Sequence, residues 1–286
     1  MSGYMIGNSV KSIALTLLRL LALLLGLVVL FLLLFQHQLI YHPRKYSPAA
    51  REHLPPHTIA LRYQTSQGTQ LVFYVPQRDS ALNQPARIWV MFPGNGSLAL
   101  DWLDLVTDAP QLSDAFLLID YPGYGDCEGS ASPESIQESA ESAVFALAPA
   151  LKMKREELVN RLNVLGLSIG CATGLRFATH FPIKHAVLVA PFTTLREESR
   201  RIVGFPLCFL LLHNYDNRAR LSELASRQSP PKVIVYHGSS DTTIPPQMGR
   251  DLAALYPAMI DFHEVLGADH NSILKLGLPG IYAAMK

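Results

Sequence analysis

Five short apolar runs, RIWVMF, DAFLLIDY, RLNVLGLS, HAVLVAP and KVIVYHG, fall between residues 87 and 238. None alternates apolar with polar residues, so each reads as a strand buried on both faces. Segments with helical spacing stand beside them: SLALDWLDLV, SPESIQESAESAVFALAPAL and IGCATGLRFATHF, then MGRDLAALY, a further strand IDFHEVLG, and the closing helix NSILKLGLPGIYAAM. In the second of these, Ser132 is placed as N-cap and Pro133 as the first helical residue, with Glu134 in the first turn. Strand and helix in alternation require a mostly parallel sheet with helices on both faces, the α/β class. HTIALRYQT and TQLVFYV, separated by SQG, read as a hairpin of antiparallel strands at one edge.

The N-terminus does not fit this alternation. From Ile13 to Phe35 the chain is apolar except at Thr16, Arg19 and Gly26. As a helix it spans roughly 34 Å, enough to cross a bilayer core. A cleaved signal peptide would need a small-x-small site, and the block is followed by QHQLIYHP instead. An uncleaved, single-pass signal anchor over residues 1–36 is the expectation. Its orientation is open, because Lys11 and Arg19 flank one end and Arg44, Lys45 and Arg51 the other. Residues 37–286 suffice for one large domain with a sizeable core. A net charge of +1 points to neither nucleic acid nor an acidic partner. The three cysteines, Cys127, Cys171 and Cys208, are an odd and scattered set. They give no disulfide framework and no zinc motif, so no metal and no cofactor is expected.

The stretch GLSIG lies between the strand RLNVL and the helix that starts near Ile169. A tight turn there lifts the Ser168 hydroxyl above the sheet edge. Gly166 and Gly170 leave room for the turn and for close helix–strand packing, and the following helix directs its partial positive charge at the serine. Serine needs a base to become a nucleophile. Of ten histidines, His270 alone follows the last strand in a loop at the strand's C-terminal end, the edge where open α/β sheets gather their functional groups. Asp241 follows KVIVYHG at the same edge and is the candidate orienting carboxylate. Asp269 adjoins His270 but would point elsewhere, and Glu197 and Glu198 are outside alternatives. The amides of Ile169 and Asn95 are the candidate oxyanion hole, with Gly96 next.

The motifs PGNGS (93–97), DYPGYGDCEG (120–129), GLSIG (166–170), HGSSDTTIP (237–245) and GADH (267–270) together resemble the membrane-anchored α/β-hydrolase-domain serine hydrolases, the group related to serine aminopeptidases and dienelactone hydrolases. LIYHP (39–43) is similar to that group's juxtamembrane entry segment. The resemblance covers roughly residues 37 to 286. It implies an α/β-hydrolase fold, nucleophile–acid–base order Ser168, Asp241, His270, and hydrolysis through an acyl-enzyme. Two departures stand out. Pro93-Gly94 occupies the oxyanion loop where the group commonly has His-Gly, and Pro122 stands where it often has arginine.

Between the sixth and seventh strands, residues 191 to about 230 are too long for a simple connection. In the group that the chain resembles, insertions here form lids. FPLCFLLL (205–212) is almost continuously apolar. It either lines an acyl pocket, touches the bilayer, or packs as a buried lid helix. An anchored enzyme with such a lid is expected to take acyl-ester or lipid-like substrates, thioesters and acylated proteins included; the resemblance adds peptides. Two readings from other classes fare worse. A dinucleotide-binding oxidoreductase would need G-x-G-x-x-G in a first βαβ unit, which is missing. A non-catalytic, membrane-tethered binding protein would lack a triad member, and all three are present. The sequence leaves the oligomeric state open. The triad uses nothing from residues 1 to 36, so the helix is expected to be a plain tether.

Overall fold

The computed structural model describes residues 2–78, 84–110 and 113–286, with residues 2–10 described by backbone alone. The strands are β1 Ile59–Thr65, β2 Gly68–Val75, β3 Arg87–Phe92, β4 Asp114–Ile119, β5 Leu162–Leu167, β6 His185–Val189, β7 Lys232–Gly238 and β8 Ile260–Val265. They form one sheet in the order β1-β2-β4-β3-β5-β6-β7-β8. β1 pairs with β2 and β2 with β4 in antiparallel fashion, and every later pairing is parallel. The expected hairpin therefore closes one edge of an otherwise parallel sheet. β1, at that edge, alternates half-buried with exposed residues, whereas β4 is buried throughout.

The helices are α1 Ser2–Ile40, α2 Leu103–Thr107, α3 Pro133–Ala150, α4 Arg155–Val159, α5 Ile169–Ala178, α6 Leu195–Val203, α7 Asn217–Ala225, α8 Pro246–Leu255 and α9 Ile273–Ala284. α3 begins where its N-cap signal placed it. Ser132 Oγ accepts from the Ser135 amide at 3.0 Å, and Ser135 Oγ accepts from the Ser132 amide at 2.8 Å. This reciprocal pair satisfies two amide donors at the helix start. Ile136, Ala140, Ala143, Val144 and Leu147 then recur on one face and are buried. Each large member of that stripe contributes on the order of 1.5–3 kcal/mol by leaving water. α3, α4, α5, α7 and α8 cover one side of the sheet, and α2 and α9 cover the other, each over its own apolar core. The segment SLALDWLDLV is not one helix. A 3-10 turn, Ala99–Trp102, precedes α2, and Asp101 Oδ2 accepts from the Leu98 amide at 2.9 Å to start it.

The parallel arrangement brings the C-terminal ends of β3, β5, β7 and β8 to one edge. The loops carrying Asn95, Ser168, Asp241 and His270 leave from those ends. Between β6 and β7 the chain builds α6, a 3-10 turn at Leu207–Leu210, and α7 over the same edge. α1 extends past the apolar block at both ends. Within Lys11–Ile40 an 18-residue window has mean hydropathy 3.0 and is not buried, so the helix is long and apolar enough to cross a membrane.

Candidate active site

Ser168 sits between β5 and α5 with φ 55° and ψ −119°, a conformation that costs a non-glycine residue on the order of 1–3 kcal/mol. Neighbouring contacts hold it there. Its amide donates to Val189 O at 2.9 Å, and its carbonyl accepts from the Cys171 amide at 3.0 Å. The two glycines of the turn have no room for a side chain. A Cβ on Gly166 would lie 2.4 Å from Gly170 O, and one on Gly170 would lie 2.0 Å from Phe92 O. The turn thus packs backbone against backbone and raises Oγ above the sheet.

Oγ meets His270 there. His270 Nε2 is 3.1 Å from Ser168 Oγ, and His270 Nδ1 is 2.7 Å from Asp241 Oδ2. With Nδ1–H donated to the carboxylate, Nε2 is left as the acceptor facing the serine hydroxyl, a tautomer assigned from the network. Asp241 is fixed in turn, since Oδ1 accepts from the Thr243 and Ile244 amides, both at 2.9 Å. Burial pushes its carboxyl pKa up. The neighbouring His237, the bond from His270 and the Ile244 amide outweigh burial and hold it well below the usual carboxylate range. Asp241 is therefore ionised throughout the range in which an imidazole works as a base.

The other carboxylates go elsewhere. Asp269 Oδ1 accepts from the Asn271 amide at 3.1 Å and from the Ser272 amide at 2.8 Å, at the start of α9. Glu197 bonds to Arg218 and Thr193. Glu198 accepts from Arg201 through both oxygens at 2.8 Å, and Arg201 also donates to Thr243 O at 3.0 Å, which ties α6 to the Asp241 loop. His237, at the end of β7, is fully buried. Its Nε2 donates to Ile244 O at 2.8 Å and lies 3.6 Å from Asp241 Oδ2.

The loop after β3 brings Asn95 to the same cavity as Ser168 and Ile169. Neither the Asn95 nor the Ile169 amide has a protein acceptor among the described residues. The loop's carbonyls are held by the motif DYPGYG. Tyr121 Oη donates to Pro93 O, and Tyr124 Oη donates to Asn95 O, both at 2.6 Å. The sequence offered no sign of this bracing, because it joins residues 28 and 29 positions apart through the pairing of β3 with β4.

Comparison with known proteins agrees with this fold. Residues 89–227 match the alpha/beta hydrolase family. The chain carries an α/β-hydrolase domain. The chain is also similar to the uncharacterized protein YfhR of Salmonella typhi, at 28% identity over 169 residues, 56% of this chain and 56% of that one. The chain therefore spans little more than half the length of that relative. Among solved structures, an esterase from Pyrococcus furiosus superposes with a TM-score of 0.62 at 14% identity, covering 86% of this chain and 95% of its own. A serine hydrolase without lid from Xanthomonas campestris gives 0.55 at 17% identity, covering 81% and 93%. At these identities the solved structures share the fold.

The buried carboxylate of Asp120 works against the stability of the domain. Asp120, fully buried, accepts from Tyr46 Oη at 2.5 Å and from the Ala99 amide at 2.8 Å. Burial raises its carboxyl pKa from 3.8 to about 6, against the lowering effect of these bonds. A raised folded pKa means that the unfolded chain loses this proton first as pH rises. The stabilisation is complete below the unfolded value and is lost between about pH 4 and 6. The native protein is expected to gain about 2–3 kcal/mol from this residue between pH 7 and pH 4, a gain that Asp120→Asn lacks. Urea unfolding of both proteins across that range measures the difference. A difference that does not change with pH would contradict it.

The cavity in front of Ser168 holds about 300 Å³, the lower end of small-molecule sites. Its lining is mainly apolar. Leu207 and Leu211 come from the insertion, and Leu32, Gln36, Leu39 and Ile40 come from α1. The expectation that residues 1 to 36 stand apart from the site is therefore corrected, since Leu32 and Gln36 are in its wall. The physical reason is that α1 does not end at Phe35. It continues through QHQLI and docks on the hydrolase domain.

Proposed function

We propose that this chain is a membrane-held serine hydrolase of acyl esters, with Ser168 as nucleophile, His270 as base and Asp241 as the acid that orients it. The observation that carries this reading is the continuous relay Asp241–His270–Ser168, with a strained serine at the mouth of an apolar cavity. His270 Nε2 takes the Oγ proton as Oγ bonds to the acyl carbon, and the carbonyl oxygen becomes an oxyanion. The Ile169 and Asn95 amides donate to it. As the ester C–O bond breaks, His270 returns the proton to the leaving alkoxide, which leaves an acyl-serine. Water then releases the acid by the same route. Residues 37–286 serve as the catalytic domain, residues 191 to about 230 as its lid, and α1 as a single-pass anchor.

A substrate panel at equal concentrations separates this reading from the peptidase alternative. The protein is expected to hydrolyse short p-nitrophenyl esters at least about a hundredfold faster than aminoacyl p-nitroanilides. The pocket offers mainly apolar surface, and its one acidic side chain, Glu198, is already occupied by Arg201. Faster cleavage of the anilides would favour a serine aminopeptidase.

A further inference from the structure

α1 contributes to the site in two ways that a tether would not. Its last turns are bonded to the domain at several points. Gln36 Oε1 accepts from the Leu212 amide of the lid at 2.8 Å, His37 Nε2 lies 2.8 Å from Ser130 Oγ, and Ile40 O accepts from Asn95 Nδ2 at 3.3 Å. Just past the helix, Tyr41 Oη meets Tyr215 Oη at 3.0 Å, and the His42 amide donates to Asn95 O at 3.1 Å. The helix end is thus tied both to the lid and to the loop that presents the Asn95 amide. In addition, Leu32, Gln36, Leu39 and Ile40 recur at i, i+4, i+7 and i+8, which places them on one helix face. That face lines the cavity in front of Ser168.

Depth in the membrane follows from length. A bilayer core takes roughly 20 helical residues. Counted from Lys11, the domain-side boundary of the core falls near Phe31; counted from Arg19, it falls near Leu39. On either count, the stretch Leu32–Ile40 lies at that boundary. The lid beside it presents Ile202, Phe209 and Leu212 outward, 77%, 60% and 72% exposed. Leu212 is also the residue whose amide bonds Gln36. Leu39 lines the cavity yet is 53% exposed, so the cavity opens sideways along the helix.

We propose that the last two turns of α1 form one wall of the acyl-binding groove, and that the substrate is a long-chain acyl ester of the bilayer whose chain enters laterally along Leu32 and Leu39. This rests on the serine-hydrolase and membrane-anchor reading above. The arrangement brings the ester to Ser168 from the lipid phase, with its chain passing from lipid to the α1–lid groove and never into water. The anchor in this account is one wall of the specificity pocket.

Full-length protein in phosphatidylcholine vesicles tests this with a pair of alkyl fluorophosphonates, one carrying a two-carbon and one an eight-carbon chain. The readout is the ratio of their labelling rates at Ser168. Leu32→Trp and Leu39→Trp place an indole in the groove, and each is expected to lower the octyl-to-ethyl ratio at least about fivefold against wild type, as the pocket loses room for several methylenes. Leu24→Trp, higher on the same helix and outside the cavity, is the control for partitioning into lipid and is expected to leave the ratio unchanged. Ratios within twofold of wild type in both groove variants would overturn the proposal and return α1 to a plain tether. An equal fall in the Leu24→Trp protein would overturn it as well. If neither probe labels wild type at Ser168, the triad reading fails instead, and the groove proposal falls with it.

Discussion

Replacing Ser168 by alanine is expected to lower kcat for ester hydrolysis by about 10⁵-fold or more, with KM little changed. The size of the effect comes from how completely the site is organised around one oxygen. The φ of 55° lifts Oγ to 3.1 Å from His270 Nε2, and no other hydroxyl among the described residues bonds to that nitrogen. Without Oγ, His270 and the two amides can still assist attack by water, so a small residual rate is expected. The turn itself is held by the Val189 carbonyl, the Cys171 amide and the glycine contacts, none of which uses the side chain. Ser168→Ala is therefore expected to unfold within a few degrees of wild type. A variant that kept more than about a hundredth of the wild-type kcat would exclude Ser168 as nucleophile.

His270→Ala is expected to cost about 10⁴-fold or more in kcat, and Asp241→Asn about 10³- to 10⁴-fold, because asparagine favours the wrong imidazole tautomer. Asp269→Asn provides the contrast. Its carboxylate accepts from the Asn271 and Ser272 amides and does not bond to His270. It is expected to change kcat less than about threefold, because it weakens only an exposed helix-start contact. The separation between the two aspartates, neighbours of His270 in space and in sequence respectively, is the informative quantity. If Asp269→Asn proved the more damaging change, the acid would be assigned wrongly.

Much of this site could be read before the fold was seen, and the reasons are particular. β3 to β7 are buried on both faces, so their sequences are plain apolar runs, and the loops that follow them stand out. GLSIG and HGSSDTTIP each follow such a run, and GADH follows the more exposed edge strand β8, which together place three side chains at one sheet edge. The contribution of α1 was not legible in the same way. Its residues are apolar on all faces, so Leu32 and Leu39, which face the cavity, look the same in sequence as Leu24 or Leu30, which do not. Gln36 was the one available signal: a polar side chain at the end of an apolar block, 9% exposed and bonded to the lid. The bracing of the Asn95 loop by Tyr121 and Tyr124 depends on the register that sets β3 beside β4, and no local pattern carries that information. Asp120 belongs to the same motif, and its buried carboxyl became evident only through its partners.

The most direct test of the central claim is covalent. Purified full-length protein treated with a fluorophosphonate, digested and analysed by mass spectrometry is predicted to carry the phosphonyl group stoichiometrically on Ser168, with labelling lost in Ser168→Ala and slowed at least about a thousandfold in His270→Ala. An unmodified Ser168, a label on another residue, or labelling that persists at the wild-type rate without His270 would contradict the account.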